Sequence, residues 1–94
     1  MSDAVSPYLS GPVDEMTYLR TIGKRLRLLR VYADLSQQEL ADKAGVTRNV
    51  VSAIERGRQK PDAWRLLKLA AALDTDIGAL LAPDSGEPKV SLSP

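Results

Sequence analysis

The 94-residue sequence contains no cysteine, no histidine and no phenylalanine. Without cysteine there are no disulfides and no thiolate metal sites, and without histidine the most common acid–base residue and the usual catalytic triads are excluded. Catalysis would have to rely on carboxylates or lysine, yet neither a glycine-rich phosphate loop nor a plausible carboxylate pair is present. We therefore expect a protein that is not an enzyme and that uses no metal or cofactor.

Long apolar runs are also missing from the sequence. None approaches the roughly 18 residues of a membrane span. The first residues, MSDAVSPYLSGPVDE, lack the basic start and the apolar core of a signal peptide. These absences predict a soluble cytoplasmic protein that has no membrane partner.

The basic residues are unevenly distributed, although the formal net charge is only +1. Residues 20–60 hold ten lysines and arginines against four acidic residues, whereas the segments before and after them are net acidic. A concentration of positive charge of this kind suggests a polyanionic partner, although basic side chains can also serve only solubility.

Residues 36–57, SQQELADKAGVTRNVVSAIERG, have the pattern of two short helices joined by a glycine turn. Ser36 and Glu39 have the spacing of a capping box, which predicts a helix that begins directly after Ser36. Gly45 can adopt the left-handed conformation that ends a helix, and Thr47 is a favourable N-cap for the next one. A helix-turn-helix of this kind presents its second helix to the major groove of DNA.

The second helix of the motif, predicted over residues 48–56, has two different faces. Val51 and Ile54 are three residues apart, so both can point back to the core. Arg48 and Asn49 lie on the other side, in the first turn of the helix. Arginine suits a bidentate contact with guanine and asparagine a bidentate contact with adenine, so this face is predicted to read bases.

The rest of the sequence predicts three further helices and no strand. Apolar residues at steps of three or four predict a first helix over about residues 14–33, a fourth to about residue 73, and a short fifth to residue 81 or 82. The expected inner residues of the first helix are Met16, Leu19, Ile22, Leu26, Leu29 and Ala33. We expect a compact all-α domain of five helices over residues 14–82, between a flexible arm (1–13) and a disordered tail (83–94).

Residues 22–81 resemble the lambda-repressor and Cro-like helix-turn-helix family, also called the xenobiotic-response-element family. The resemblance is carried by IGKRLRLLR (22–30), LSQQELADKAGVTRNVVSAIERG (35–57), Pro61 and LLKLAAALDTDIGALL (66–81). It is specific because the apolar register, the turn glycine, the IERG ending and two further helices occur together. The resemblance implies a five-helix domain that binds double-stranded DNA and regulates transcription.

The resemblance also implies roles for individual residues. The positions that contact bases in this family correspond to Arg48, Asn49, Ser52 and Ala53. The positions that contact the DNA backbone correspond to Gln37, Thr47, Arg56, Arg58 and Lys60. Arg30 and Glu55 correspond to a pair that commonly forms a salt bridge between the first and third helices.

Four apolar residues depart from the family pattern, and three explanations for them remain open. These residues are Leu28, Val31, Tyr32 and Trp64. The N-terminal arm could fold back over them with Tyr8, Leu9 or Val13; they could form a dimer or partner interface; or they could simply be exposed. The fifth helix offers further candidate interface residues, Ile77, Leu80 and Leu81, although Gly78 weakens that helix.

The sequence favours a homodimeric regulator on a palindromic operator, because one short helix makes too few base contacts to select a site in a genome. The alternative is an antitoxin-like or adaptor module that binds a protein partner through Trp64 and Tyr32, with DNA binding secondary. With no second domain evident, we expect a stand-alone prokaryotic or phage regulator that is associated with the nucleoid when it is bound to DNA.

Overall fold

The structure is a computed structural model, and it describes residues 14–82. These residues form five helices and no strand: α1 (Glu15–Tyr32), α2 (Gln37–Ala44), α3 (Arg48–Glu55), α4 (Ala63–Ala72) and α5 (Ile77–Leu81). The predicted all-α architecture and the order of its helices are thereby confirmed. The expected N-terminal arm and C-terminal tail lie outside the described residues.

Every helix begins at a residue whose side chain accepts a hydrogen bond from a backbone N–H in the first turn. These N-caps are Asp14, Ser36, Thr47, Asp62 and Asp76. The predicted capping box of α2 is present in full, because Glu39 N donates to Ser36 Oγ at 3.0 Å and Ser36 N donates to Glu39 Oε1 at 2.8 Å. The helix starts are therefore set by local chemistry.

The N-cap of α1 also has an electrostatic consequence. The hydroxyl and the backbone N–H of Thr17 both donate to the Asp14 carboxylate and lower its pKa. A carboxylate with a lowered pKa stabilises the fold above its ordinary pKa and loses that effect as the pH falls through the lowered value. The cap is thus fully effective at neutral pH.

The core lies where α1 packs on α3 and α5, α2 packs on α3 and α4, and α4 packs on α5. Its largest fully buried side chains are Ile22, Leu26, Leu40, Val51, Ile54, Leu69 and Leu80. The predicted inner stripe of α1 is wrong at both ends. Met16 is 66% exposed, and Ala33 is an exposed C-cap residue. Tyr18 packs against the core in place of Met16, so the contact face of α1 begins later than its apolar pattern.

Gly23 allows an unusually close approach between α1 and the end of α3. A Cβ atom at this position would lie 2.6 Å from the carbonyl oxygen of Ile54 and 2.7 Å from that of Glu55. Both atoms belong to the backbone, so no side-chain rotation could make room. Glycine is therefore required here by space, since its backbone is helical.

Arg25 is a charged residue in the buried core, with 2% of its surface exposed. Its Nε donates to the carbonyl oxygen of Ala79 at 3.0 Å. This bond satisfies a carbonyl near the end of α5, where helices leave carbonyl groups without an internal partner. Arg25 thereby fastens the short α5 to α1.

Candidate nucleic-acid interface

One face of helix α3 is buried against the core, and the opposite face is exposed to solvent. Val51 and Ile54 are at most 1% exposed, and they anchor the helix in the core. Gly45 has the left-handed backbone predicted for the turn, with φ of 73°. Thr47 then caps α3 by accepting a hydrogen bond from Val50 N at 3.2 Å. The turn and the cap together fix where the first turn of α3 begins.

The residues predicted to read bases lie along this helix. Arg48 and Asn49 are exposed in its first turn, while Ser52 and Ala53 are half-buried one turn later. Arg56, the C-cap residue, is exposed at the far end. The side chains with the longest reach and the most donors are therefore at the two ends of α3, and the shorter ones lie between them.

The carboxylate of Glu55 joins three helices. Arg30 of α1 donates from Nε to Oε2 at 2.6 Å and from Nη2 to Oε1 at 3.0 Å, a bidentate pair. Gln37 of α2 donates from Nε2 to Oε1 at 3.1 Å. The side chains of Arg30 and Glu55 are only 12% and 4% exposed, so water competes little for these bonds.

Arg30 has a second anchor in this network. Its Nη1 donates to the carbonyl oxygen of Leu35, in the segment between α1 and α2. The hydrogen bonds from Arg30 to Glu55 also raise the pKa of the guanidinium, which is charged at any physiological pH. The planar fork of arginine thus fixes the end of α3 relative to both α1 and the start of α2.

The loop after α3 carries exposed basic residues. Gly57 turns the chain with φ of 72°, and Arg58 and Lys60 follow it on the surface. Lys60 Nζ lies 2.8 Å from Glu15 Oε2, and this hydrogen bond raises the pKa of Lys60. Both side chains are about 60% exposed, so the pair is screened by solvent and contributes little to stability. Lys60 remains able to exchange Glu15 for another anion.

The candidate interface residues differ in how much they expose. Tyr32, Trp64 and Leu81 are 66%, 62% and 41% exposed, and Leu28 and Ile77 are half-buried. The assignment of Leu80 to the interface is wrong, because its side chain is 0% exposed and belongs to the core. The inward face of the short α5 falls on Leu80, which leaves Leu81 on the outer side.

Trp64 borders a shallow groove between the turn of the motif and the first turns of α4. Thr47 and Val50 line one side of this groove, and Asp62, Arg65 and Lys68 line the other. The ammonium group of Lys68 lies 5.5 Å from the centre of the Trp64 ring, within the range of a cation–π contact. This contact accounts for one face of an otherwise exposed indole.

Other kinds of site find no support in residues 14–82. This part of the chain has no cluster of acidic residues suited to a metal ion. None of its helices has the length and apolar character needed to cross a membrane. Exposed basic side chains lie at both ends of α3 and in the loop that follows it.

Comparison with known proteins agrees with this geometry. A family model described as helix-turn-helix, HTH_3, matches residues 26–80, more than half of the chain. The chain belongs to this helix-turn-helix family. The curated relatives of this helix-turn-helix protein are named as transcriptional regulators and an immunity repressor, not as enzymes.

Three solved structures illustrate the similarity. The restriction-modification controller protein C.AhdI from Aeromonas hydrophila is 42% identical, with a TM-score of 0.65 over 66% of this chain and 94% of that one. The DNA-binding domain of the P22 c2 repressor is 32% identical, with a TM-score of 0.63 over 67% and 83%. The regulator SinR in complex with DNA is 41% identical, with a TM-score of 0.62 over 64% and 97%. The predicted lambda-repressor-like fold is thereby confirmed.

The chain spans only part of its longer relatives. It covers between 34% and 55% of the length of the first three curated regulators that it matches. The similarity thus concerns the helix-turn-helix domain and does not extend to what the remainder of those proteins does.

Proposed function

We propose that this helix-turn-helix protein binds double-stranded DNA in a sequence-specific manner, with α3 in the major groove, and that it regulates transcription through this binding. The observation that carries the proposal is the exposure of Arg48 and Asn49 in the first turn of a helix whose opposite face is buried. A helix mounted in this way can enter a groove about 12 Å wide without disturbing its own core.

Affinity and sequence preference are assigned to different residues. Arg48 and Asn49, followed by Ser52 and Ala53, face the base edges. The residues proposed to hold phosphates flank them and are Gln37, Thr47, Arg56, Arg58 and Lys60. Since Gln37 already donates to Glu55, its position relative to α3 is fixed before DNA arrives. Contacts with phosphates position the protein, and contacts with bases specify the sequence.

Selection of bound sequences from random duplex DNA tests this assignment. The protein should enrich a defined sequence, and Arg48→Ala should lose about 1 to 3 kcal/mol of discrimination at one base pair, which is about fivefold to 150-fold. The matched control is Lys43→Ala, which removes an exposed positive charge from the last turn of α2. This control should keep the same preferred sequence.

Two outcomes would contradict the assignment. If Arg48→Ala selected the same sequence with the same preference as the unmodified protein, α3 would not be the reading element. If no duplex were enriched at all, the proposal of sequence-specific binding would fail. The exposed surface of Trp64 and Tyr32 would then point to a protein partner instead.

We further propose that two copies bind a palindromic operator, with half-sites about one helical turn apart. Ile77 and Leu81 on α5, with Leu81 41% exposed, offer apolar surface for the contact between copies. Sedimentation velocity with the selected duplex should show two protein chains per duplex. A complex with a single chain on a duplex that carries both half-sites would refute the dimer.

A further inference from the structure

We propose that Arg20 of α1 extends the DNA-backbone contact beyond the helix-turn-helix, a role that rests on the proposed function. Arg20 is exposed and lies on the first helix, outside both helices of the motif. It lies beside the turn that ends α3. A Cβ atom at Gly57 would lie 3.9 Å from Arg20 Cα and 3.8 Å from the carbonyl oxygen of Leu19, so the turn lies close to this part of α1.

The loop beside Arg20 carries several exposed basic residues. Arg56 and Arg58 lie on either side of Gly57 and are exposed, as is Lys60. The ion pair between Lys60 and Glu15 joins the same loop to the first turn of α1. The loop therefore lies close to α1 at two places, at Glu15 and at Leu19–Arg20, and Arg20 belongs to the second of them.

In the part of the chain that the structure describes, the absence of an acidic partner distinguishes Arg20 from Lys60. Glu15 forms an ion pair with Lys60, and this pair reduces the positive charge that the loop presents. Within residues 14–82 no carboxylate forms an ion pair with Arg20, although Asp14 lies near enough for Arg20 to contribute to the lowering of its pKa. Arg20 is thus a long, exposed cation beside the basic loop, and its guanidinium is suited to a phosphate.

The dimensions of DNA make the contact feasible. Helix α3 has eight residues and is about 12 Å long, which is close to the width of the major groove. When its first turn lies over bases, its far end therefore lies at the edge of the groove. Each strand carries a phosphate every 3.4 Å of helix axis. A surface that continues from Arg58 to Arg20 would follow one strand past the phosphates that the loop holds.

The test measures how binding depends on salt. The unmodified protein, Arg20→Ala and Arg27→Ala are titrated with the selected duplex and with an unrelated 20-base-pair duplex between about 50 and 200 mM salt. Arg20→Ala should bind both duplexes about tenfold more weakly at low salt. Its slope of log affinity against log salt concentration should become less steep by about one. Its preference between the two duplexes should not change.

Arg27 is the matched control, since it is the same residue type on the same exposed side of α1, about 10 Å further along the helix. Its removal should leave the slope unchanged. An unchanged slope for Arg20→Ala, or an equal fall for both variants, would overturn the contact while leaving recognition by α3 intact. An unmodified protein that binds neither duplex would refute the proposed function itself. Thermal melting of both variants should match that of the unmodified protein, because both residues are exposed.

Discussion

Replacement of Gly23 by alanine should lower the free energy of unfolding by about 3 kcal/mol, although alanine is the better helix former. The new methyl group would meet the carbonyl oxygens of Ile54 and Glu55 at 2.6 and 2.7 Å. Relief requires α1 and α3 to move apart, which opens the core around Ile54. Urea unfolding followed by circular dichroism measures the loss, and for a domain of this size the melting temperature should fall by more than about 10 °C.

Gly45→Ala is the control for this substitution. Gly45 has a left-handed backbone with φ of 73°, and a Cβ atom there would meet nothing within 4 Å. The same change should therefore cost only the conformational penalty of about 1 to 2 kcal/mol. If Gly23→Ala proved as stable as the unmodified protein, the close approach of the two helices would be refuted.

Replacement of Glu55 by leucine should cost a similar amount, about 3 kcal/mol, for an electrostatic reason. The change removes the acceptor of two hydrogen bonds from Arg30 and one from Gln37. The guanidinium of Arg30 would remain largely buried without a counter-charge, which is more costly than the absence of the whole pair. The measurement is again the free energy of unfolding, with DNA affinity determined alongside it.

A double variant separates the cost of leaving Arg30 buried without a counter-charge from other effects of the substitution. Arg30→Met combined with Glu55→Leu should recover much of the lost stability, because a buried ion pair can be replaced by apolar groups of similar volume. DNA affinity should recover less, since the end of α3 has lost its hydrogen bond from Gln37 and its link through Arg30 to the carbonyl of Leu35. Glu15→Ala, which breaks the exposed pair with Lys60, should change stability little. A double variant no more stable than Glu55→Leu would contradict this interpretation.

The helix starts could be predicted from the sequence because their causes are local. Asp14, Ser36, Thr47, Asp62 and Asp76 cap helices by bonds that span three residues, so each signal is contained in a short window. The turn at Gly45 is equally local. What these signals could not provide is the distance between helices that are far apart in the chain.

Gly23 and Arg25 show where prediction from the sequence ended. A glycine within a helix ordinarily signals a weak helix, and nothing near Gly23 indicates that the backbone of α3 lies against it. Arg25 is a charged residue in a basic helix, the kind of residue that is usually exposed. Its burial depends on a carbonyl 54 residues away.

The apolar residues of α5 were only partly predictable for the same reason. Five residues make less than one and a half turns, so the apolar pattern does not say which side of the helix faces inward. Leu80 and Leu81 are adjacent, yet one is fully buried and the other 41% exposed. The packing of α5 against α1 and α4 decides between them.

The bond between Arg25 and Ala79 bears on how the domain melts. A helix of five residues is far too short to persist alone in water, so α5 exists only while α1 is in place to receive it. The last helix of the described domain is therefore lost when the first helix unfolds. Any partner that binds the outer side of α5 would favour the folded state of the whole domain, including α3, the helix proposed to bind DNA.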